Sequence, residues 1–407
     1  MELLQTHVVI IGGGYGGLRV IESLAKHPNI TLTLIDKHPY HYLQTEAYGY
    51  IAGRFDIRDI AIDLEQWCHG FEKRVSFVHE RAHSIDYETK KLQTDTQEIS
   101  FDYLVIATGA QTNFFSFIEG LREHSHGIKK LERAYKFRQK FEDLIYKQIQ
   151  HKIPLQEEIN LAIGGAGLSG VEVAAEMANS IHTYAKTIGE RTRKIKIHLI
   201  DASETILPGM SSFIIKNTHA RLQELGVEIH TNTFISSLDK EFIYFKDGSK
   251  LHYHFMIFTG GIKAANFTHC ISGAKNKAEQ LLPNEYLNVG ERSDIFAIGD
   301  CVAIRDAKGE ILPPTAQVAE KSAEYVAQNI LDRLYNKEPK VFDAKVSGVF
   351  VALGGNYAVG EMFGFIKVKG YLAFLLKKAI TYAYYLGLHL RINTGYKNRI
   401  QTMKKRG

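Results

Sequence analysis

Apolar residues along this chain collect in short runs that stop at glycine or at an acid. Val8-Val9-Ile10-Ile11 runs straight into Gly12-Gly13-Gly14-Tyr15-Gly16-Gly17, and a helical pattern follows through Leu24. A short apolar run bounded by turn residues predicts a buried strand, and the spacing after it predicts a helix. Leu32-Thr33-Leu34-Ile35 predicts a second strand, which ends at Asp36. About 150 residues later the pattern returns. Ile159 to Ile163 leads into Gly164-Gly165-Ala166-Gly167-Leu168-Ser169-Gly170, a helix carrying Val171 to Glu176 follows, and the strand Ile195 to Ile200 ends at Asp201. Phe101 to Ile106 closes on Ala107-Thr108-Gly109, and Phe255 to Phe258 closes on Thr259-Gly260-Gly261. Ile295 to Ile298 is a last buried strand that ends at Gly299-Asp300. Strands alternating with helices predict an α/β fold with parallel sheets.

The glycine spacing carries chemistry. Gly12, Gly14 and Gly17 form G-x-G-x-x-G between strand and helix. The first glycine permits the tight turn, the second lets a pyrophosphate approach the backbone, and the third lets helix and strand pack closely. The helix N-terminus then offers free amides and a positive dipole end to phosphates. Asp36 lies 19 residues beyond Gly17, near the spacing of about 20 at which an acid meets an adenosine ribose hydroxyl. Gly165, Gly167 and Gly170 repeat the motif. Asp201 comes later after its loop than Asp36 does, so Lys186 to Lys194 reads as an insertion. An acid at that strand end favours an unphosphorylated ribose, hence NADH over NADPH, although Arg191 and Arg193 lie close in sequence. Two fingerprints mean two Rossmann-like nucleotide-binding domains, one inserted in the other. The boundaries expected are 1–115 with 286–345 for the first, 116–285 for the second, and 346–407 for a C-terminal region.

Composition changes this picture at the C-terminus. The chain has 407 residues and a formal charge of +5, but from Val346 onward Glu361 is the only acid. Against it stand Lys367, Lys369, Lys377, Lys378, Arg391, Lys397, Arg399, Lys404, Lys405 and Arg406. That asymmetry points to an anionic partner surface, not to nucleic acid. Tyr371, Leu372, Phe374, Leu375, Leu376, Ile380, Tyr384, Tyr385, Leu386 and Leu388 make a helix-compatible apolar segment inside the basic stretch. It is too short to span a bilayer and fits an interfacial helix on anionic lipid; a core or dimerisation helix is the competing reading. Cys68, Cys270 and Cys301 form no CxxC and no disulfide framework, which suits a reducing compartment. The eighteen histidines show no metal-ligand spacing, so no metal is expected. The first strand starts so early that no signal peptide is expected.

Taken together, these segments resemble the two-dinucleotide flavoprotein reductases and, within them, the type II NADH:quinone oxidoreductases. The narrower matches are His38-Pro39-Tyr40-His41-Tyr42-Leu43-Gln44, Thr108 to Phe115, Ile206-Leu207-Pro208-Gly209, Gly299-Asp300-Cys301 and Pro313 to Ala319. The resemblance implies FAD at the first loop and NADH at the second. Lys37, Thr108, Gly109, Gly260, Asp300, Ala316, Gln317 and Lys369 join the loop glycines and the two acids as cofactor-binding positions. It implies reactive-site roles for Glu172, near the nicotinamide, and for Gln317. The family's AQxAxQ segment reads Ala316-Gln317-Val318-Ala319-Glu320-Lys321 here, so Lys321 replaces the second glutamine. That lysine either hydrogen-bonds a quinone carbonyl and stabilises a developing quinol anion, or marks a different acceptor. The implied partners are ubiquinone or menaquinone and a second copy of the chain. The implied location is the cytoplasmic face of the cell membrane, through a C-terminal amphipathic helical anchor. Competing functions are a sulfide:quinone oxidoreductase, a soluble NADH reductase with a protein acceptor, and a redox sensor without turnover.

Overall fold

A computed structural model describes residues 5–150, 158–188, 195–306, 308–343 and 345–406. The first apolar run forms the strand Thr6–Ile11 at the centre of a five-stranded sheet. Its order is Ile295–Ala297, Tyr103–Ile106, Thr6–Ile11, Ile30–Ile35, Val75–Val78. Every pairing is parallel, with Ile10 opposite Leu34 on one side and Val105 on the other. Parallel strands are covered on both faces, which is why they read as unbroken apolar runs. Val8, Val9 and Ile10 have no exposed surface.

The second sheet repeats this plan: Ser125–His126, Phe255–Phe258, Ile159–Gly164, Ile195–Ile200, Val227–His230, again all parallel. Its strands fall in sequence between Tyr103–Ile106 and Ile295–Ala297, so the second unit is inserted in the first. At the two crossings Ala110–Thr112 pairs antiparallel with Ile262–Ala264. In each sheet the central strand ends where its neighbours continue on opposite sides, the switch point at which such sheets bind ligands. The helices Tyr15–Leu24 and Leu168–Ile188 start there. Lys186, expected in an insertion, belongs to the second of these helices; Arg191 and Arg193 lie outside the described residues.

The C-terminal region is larger than an apolar helix. Three antiparallel strands, Gly348–Ala352, Ala358–Met362 and Ile366–Gly370, lead into one helix of 36 residues, Tyr371–Arg406. That helix crosses the first unit against the helix Leu64–His69. A Cβ at Gly395 would strike the Gln66 carbonyl, so glycine permits the approach. Arg391 Nη1 donates to Gly70 O at 3.2 Å, and its guanidinium lies 4.2 Å from the Phe71 ring centre. The apolar segment divides into two faces. Leu388 is buried and Tyr384 and Tyr385 pack on the core, whereas Tyr371, Leu372, Leu375, Ile380, Tyr382, Leu386 and Leu390 are exposed. Among the described residues no helix is long and apolar enough to cross a membrane.

Candidate active site between the two glycine loops

The two loops share one geometry. Gly12 has φ 111°, a conformation strained for L side chains, and its amide donates to Ile35 O at 2.8 Å. Gly165 has φ 101°, and its amide donates to Ile200 O at 2.7 Å. Gly17 lies against the Gly12 carbonyl and Gly170 against the Gly165 carbonyl, with no room for a Cβ at either. The acids match as well. Asp36 accepts from Gly13 N at 2.7 Å and His38 N at 2.8 Å; Asp201 accepts from Ala166 N at 2.5 Å and Ser203 N at 2.7 Å. Two such bonds fix each carboxylate and leave acceptor capacity for a ribose hydroxyl.

These features fit dinucleotides. A Cβ at Gly14, Gly109 or Gly167 would meet nothing within 4 Å, so open space lies over each backbone. No side chain caps the helix that starts after Gly14, which leaves its first amides for an anion. Both loops border one cavity of about 840 Å³. Its walls include Gly14, Tyr15, Gly109, Ser169, Glu172, Gly299, Asp300, Ala316 and Gln317. Val346, Phe350, Lys377, Ile380, Thr381 and Tyr384 of the C-terminal region close it from above.

Asp300 pairs with Lys129 Nζ at 2.9 Å. Gln317 Oε1 accepts from Ser347 N at 3.2 Å. Glu172 Oε1 accepts from Ala352 N at 3.0 Å and from Lys377 Nζ, so one carboxylate joins the second-loop helix, the C-terminal sheet and the C-terminal helix. Thr108 lies between the wall residues Ala107 and Gly109, and Gly260 backs the Gly165 turn. Lys37 is exposed beyond Asp36. Two positions stand apart. Lys321 is not in the cavity wall; its ammonium donates to Lys345 O and to Ser347 Oγ at 3.3 Å. Lys369 is also outside the wall, donating to Asn217 Oδ1 at 3.0 Å on the surface.

Several groups in the wall or buried just behind it have no role legible in the sequence. Tyr15 meets His41 edge-on at 4.9 Å and stacks on Tyr384 at 5.0 Å. His41 Nδ1 lies 2.9 Å from Gly13 O, and its Nε2 lies 3.1 Å from Tyr384 Oη. A carbonyl only accepts, so the ring proton is on Nδ1 and Nε2 accepts from the tyrosine. Burial pushes His41 down to about 4. Glu46 is buried and accepts from Thr381 Oγ1 at 3.1 Å; burial pushes its carboxyl above the ordinary range, opposed by Lys377. Lys377, Thr381 and Tyr384 follow one another at helical spacing, and these polar groups within an apolar segment are the one signal the sequence offers.

A family model described as pyridine nucleotide-disulphide oxidoreductase matches residues 6–323. The chain belongs to that family. A type II NADH:quinone oxidoreductase of Staphylococcus epidermidis is 29% identical over 381 residues, covering 92% of this chain and 93% of that protein. The structure of NDH2 from Plasmodium falciparum in complex with NADH has a TM-score of 0.84 at 20% identity, with 98% of each chain covered. The sulfide:quinone oxidoreductase of Aquifex aeolicus has a TM-score of 0.80 at 21% identity, covering 95% of this chain and 92% of that one. Both structural likenesses concern the fold. Within the family, this member has three free cysteines, and none lines the cavity; Cys68 and Cys301 are buried in the core.

Proposed function

We propose that the chain is an FAD-dependent NADH:quinone oxidoreductase of the type II, non-proton-pumping class. The observation that carries this reading is the single cavity that borders both glycine loops and runs under the C-terminal helix. The name of the Staphylococcus relative supports the same activity. Bound FAD would supply the redox chemistry, hydride acceptance from NADH and two-electron delivery to a quinone, which belongs to the cofactor. The protein supplies position and charge. Amides of the helix that starts after Gly14 hold the FAD pyrophosphate, Asp36 its adenosine ribose, and Asp300, fixed by Lys129, lies on its side of the cavity. Asp201 holds the NADH ribose and disfavours a 2′-phosphate by charge. With Gln317 Oε1 already accepting from Ser347, its amide nitrogen remains to donate to a quinone carbonyl. Glu172, tied to Lys377, sets the C-terminal helix over the nicotinamide side. The Tyr15–His41–Tyr384 stack keeps water from the first loop. Glu46 accepts from Thr381 Oγ1 of the wall and so ties the C-terminal helix to the first unit beside the acceptor space. A sulfide donor lacks its chemistry here, because no cysteine reaches the cavity.

The quinone enters from a membrane surface. Phe363, Phe365, Tyr371, Leu372 and Ile380 are more than half exposed on the hairpin and the C-terminal helix, with Lys367, Lys369 and Lys378 beside them. Apolar bulk with basic edges suits an interfacial helix on anionic lipid, and a donor such as NADH calls for the cytoplasmic face. Anaerobic bleaching of the flavin band tests the activity. Rapid bleaching by NADH, slow bleaching by NADPH, none by sulfide, and reoxidation by a short-chain quinone are expected. Bleaching by sulfide alone, or NADH reduction that quinone does not reverse, would remove the assignment.

A further inference from the structure

Away from this cavity, His198, Glu228 and His230 bring one ligand atom each within 4.8 Å of one another. His198 lies on Ile195–Ile200 and faces Glu228 across the pairing with Val227–His230. His230, two residues on, projects from the same face of the sheet. His198 Nδ1 is 3.1 Å from His230 Nε2 and 3.3 Å from Glu228 Oε2. An ion held tetrahedrally at about 2.0–2.1 Å from each atom sets its ligands about 3.3–3.4 Å apart. Both separations from His198 therefore already stand close to what such an ion imposes, and the third, between Glu228 and His230, is within 4.8 Å.

The tautomer agrees. Asn160, on the neighbouring strand, donates Nδ2 to His252 O at 3.1 Å, which turns its Oδ1 towards His198 Nε2 at 3.0 Å. An amide oxygen accepts, so the His198 proton sits on Nε2 and the Nδ1 lone pair points at the cluster. Histidine ligands of zinc characteristically donate their second ring nitrogen to an oxygen in this way. Nδ1 and Glu228 Oε2 are then two acceptors facing each other, which either the His230 N–H or a cation must bridge. Lys196 Nζ, 3.4 Å from Glu228 Oε1, fixes the carboxylate from its far side.

We propose that His198, Glu228 and His230 form a binding site for a divalent transition-metal ion of the zinc class, with water as fourth ligand. Val227–His230 is the edge strand of its sheet, so the ion enters from solvent. His230 O accepts from Asp201 N at 2.9 Å, so an ion that holds His230 also steadies the acid of the second loop. Linear spacing conceals the site, because sheet pairing brings together positions 198 and 230.

The test is titration calorimetry of the untagged, flavin-loaded protein with zinc chloride, together with thermal unfolding in zinc. One saturable ion per chain and a rise in unfolding temperature are expected. His230→Ala should abolish both, and Asn160→Ala should weaken binding by about 10–100-fold, as loss of an outer partner does. Glu228→Gln should weaken binding at least about tenfold; Glu228 is 41% exposed, so this variant keeps the decision open if His230→Ala does not fold. Cys270 is exposed and free, and Cys270→Ser should bind zinc like the parent. No saturable uptake by the parent, or equal uptake by parent and Glu228→Gln, would overturn the proposal.

Discussion

Replacing Lys377 by methionine keeps the length of the side chain and removes its charge from a crowded site. Lys377 and Glu172 are only 16% and 13% exposed, and the ammonium also sits 4.9 Å from the Tyr48 ring centre. Glu46 and Glu176 are buried close by, and Arg54 pairs with Glu176 at 3.2 Å. Without Lys377, three carboxylates share one guanidinium. Stranding one member of a buried pair costs about 3–5 kcal/mol; the remaining exposure and the Ala352 amide bonded to Glu172 reduce this to about 2–3 kcal/mol. The loss should depend on pH. Burial pushes Glu46 and Glu176 above the ordinary carboxylate range, and Lys377 opposes the rise at both. A carboxyl raised in the folded state favours the fold below its unfolded pKa, and that contribution disappears as pH rises through the folded value. Taking Lys377 away raises both groups further, so the deficit should widen from about pH 5 to about pH 8. Thermal unfolding followed by flavin fluorescence at the two pH values measures it. Lys377→Met with Glu172→Gln should recover most of the loss, because no carboxylate is left stranded at position 172. A deficit below about 0.5 kcal/mol, one that does not change with pH, or a double variant no better than the single one would refute this electrostatic account.

The two glycine loops should separate by mutation: at each, a Cβ brings backbone strain of about 1–3 kcal/mol. Gly12→Ala is expected to purify without flavin, whereas Gly165→Ala keeps its flavin and bleaches with NADH at least about tenfold more slowly, read by visible absorbance and stopped flow. His41 is lowered from 6.5 to about 4, so it stabilises the fold above its unfolded pKa, and this is lost as pH falls between those values. The loss amounts to about 3 kcal/mol, and His41→Gln should flatten the acid limb of the curve of unfolding temperature against pH. Lys321→Gln should leave the quinone KM within about twofold, while Gln317→Ala raises it about tenfold, roughly the value of one lost hydrogen bond; steady-state kinetics with a short-chain quinone distinguishes them.

The parts of this protein that can be read from sequence are those where the backbone demands a residue. Gly12 and Gly165 occupy positive φ, Gly17 and Gly170 touch a carbonyl, and the strands are buried on both faces, so motif and apolar run announce themselves locally. Residues whose role depends on what packs above them do not. Lys321 follows Gln317 by one helical turn and reads as its companion, but the strap around Lys345 and Ser347 draws its ammonium away from the cavity. Lys377, Thr381 and Tyr384 are hidden in a segment whose apolar residues lie all round the helix, so periodicity assigns it no inner face. His198 and His230 are distant in sequence and meet only through sheet register.

The C-terminal helix joins two functions in one segment. Its inner face supplies Lys377, Thr381 and Tyr384 to the cavity wall, and its outer face exposes Tyr371, Leu372 and Leu375. On the proposed reading the outer face lies in lipid and the inner face forms the roof of the electron-transfer site. A quinone can then pass from the bilayer edge to the flavin side without crossing the aqueous surface. Docking also bears on catalysis: anything that lifts the helix, including loss of the Arg391 contact with Gly70 and Phe71, opens the roof held by Lys377. Arg391 sits roughly 21 Å along the helix from Lys377, at about 1.5 Å of rise per residue, so its effect must travel through a rigid rod. Arg391→Ala should therefore lower quinone turnover more than it slows flavin reduction by NADH, because the residues that Arg391 grips belong to the first unit and not to the second loop. Stopped-flow measurement of the two half-reactions separates these outcomes, and a variant that slows both equally would show that the roof is held elsewhere.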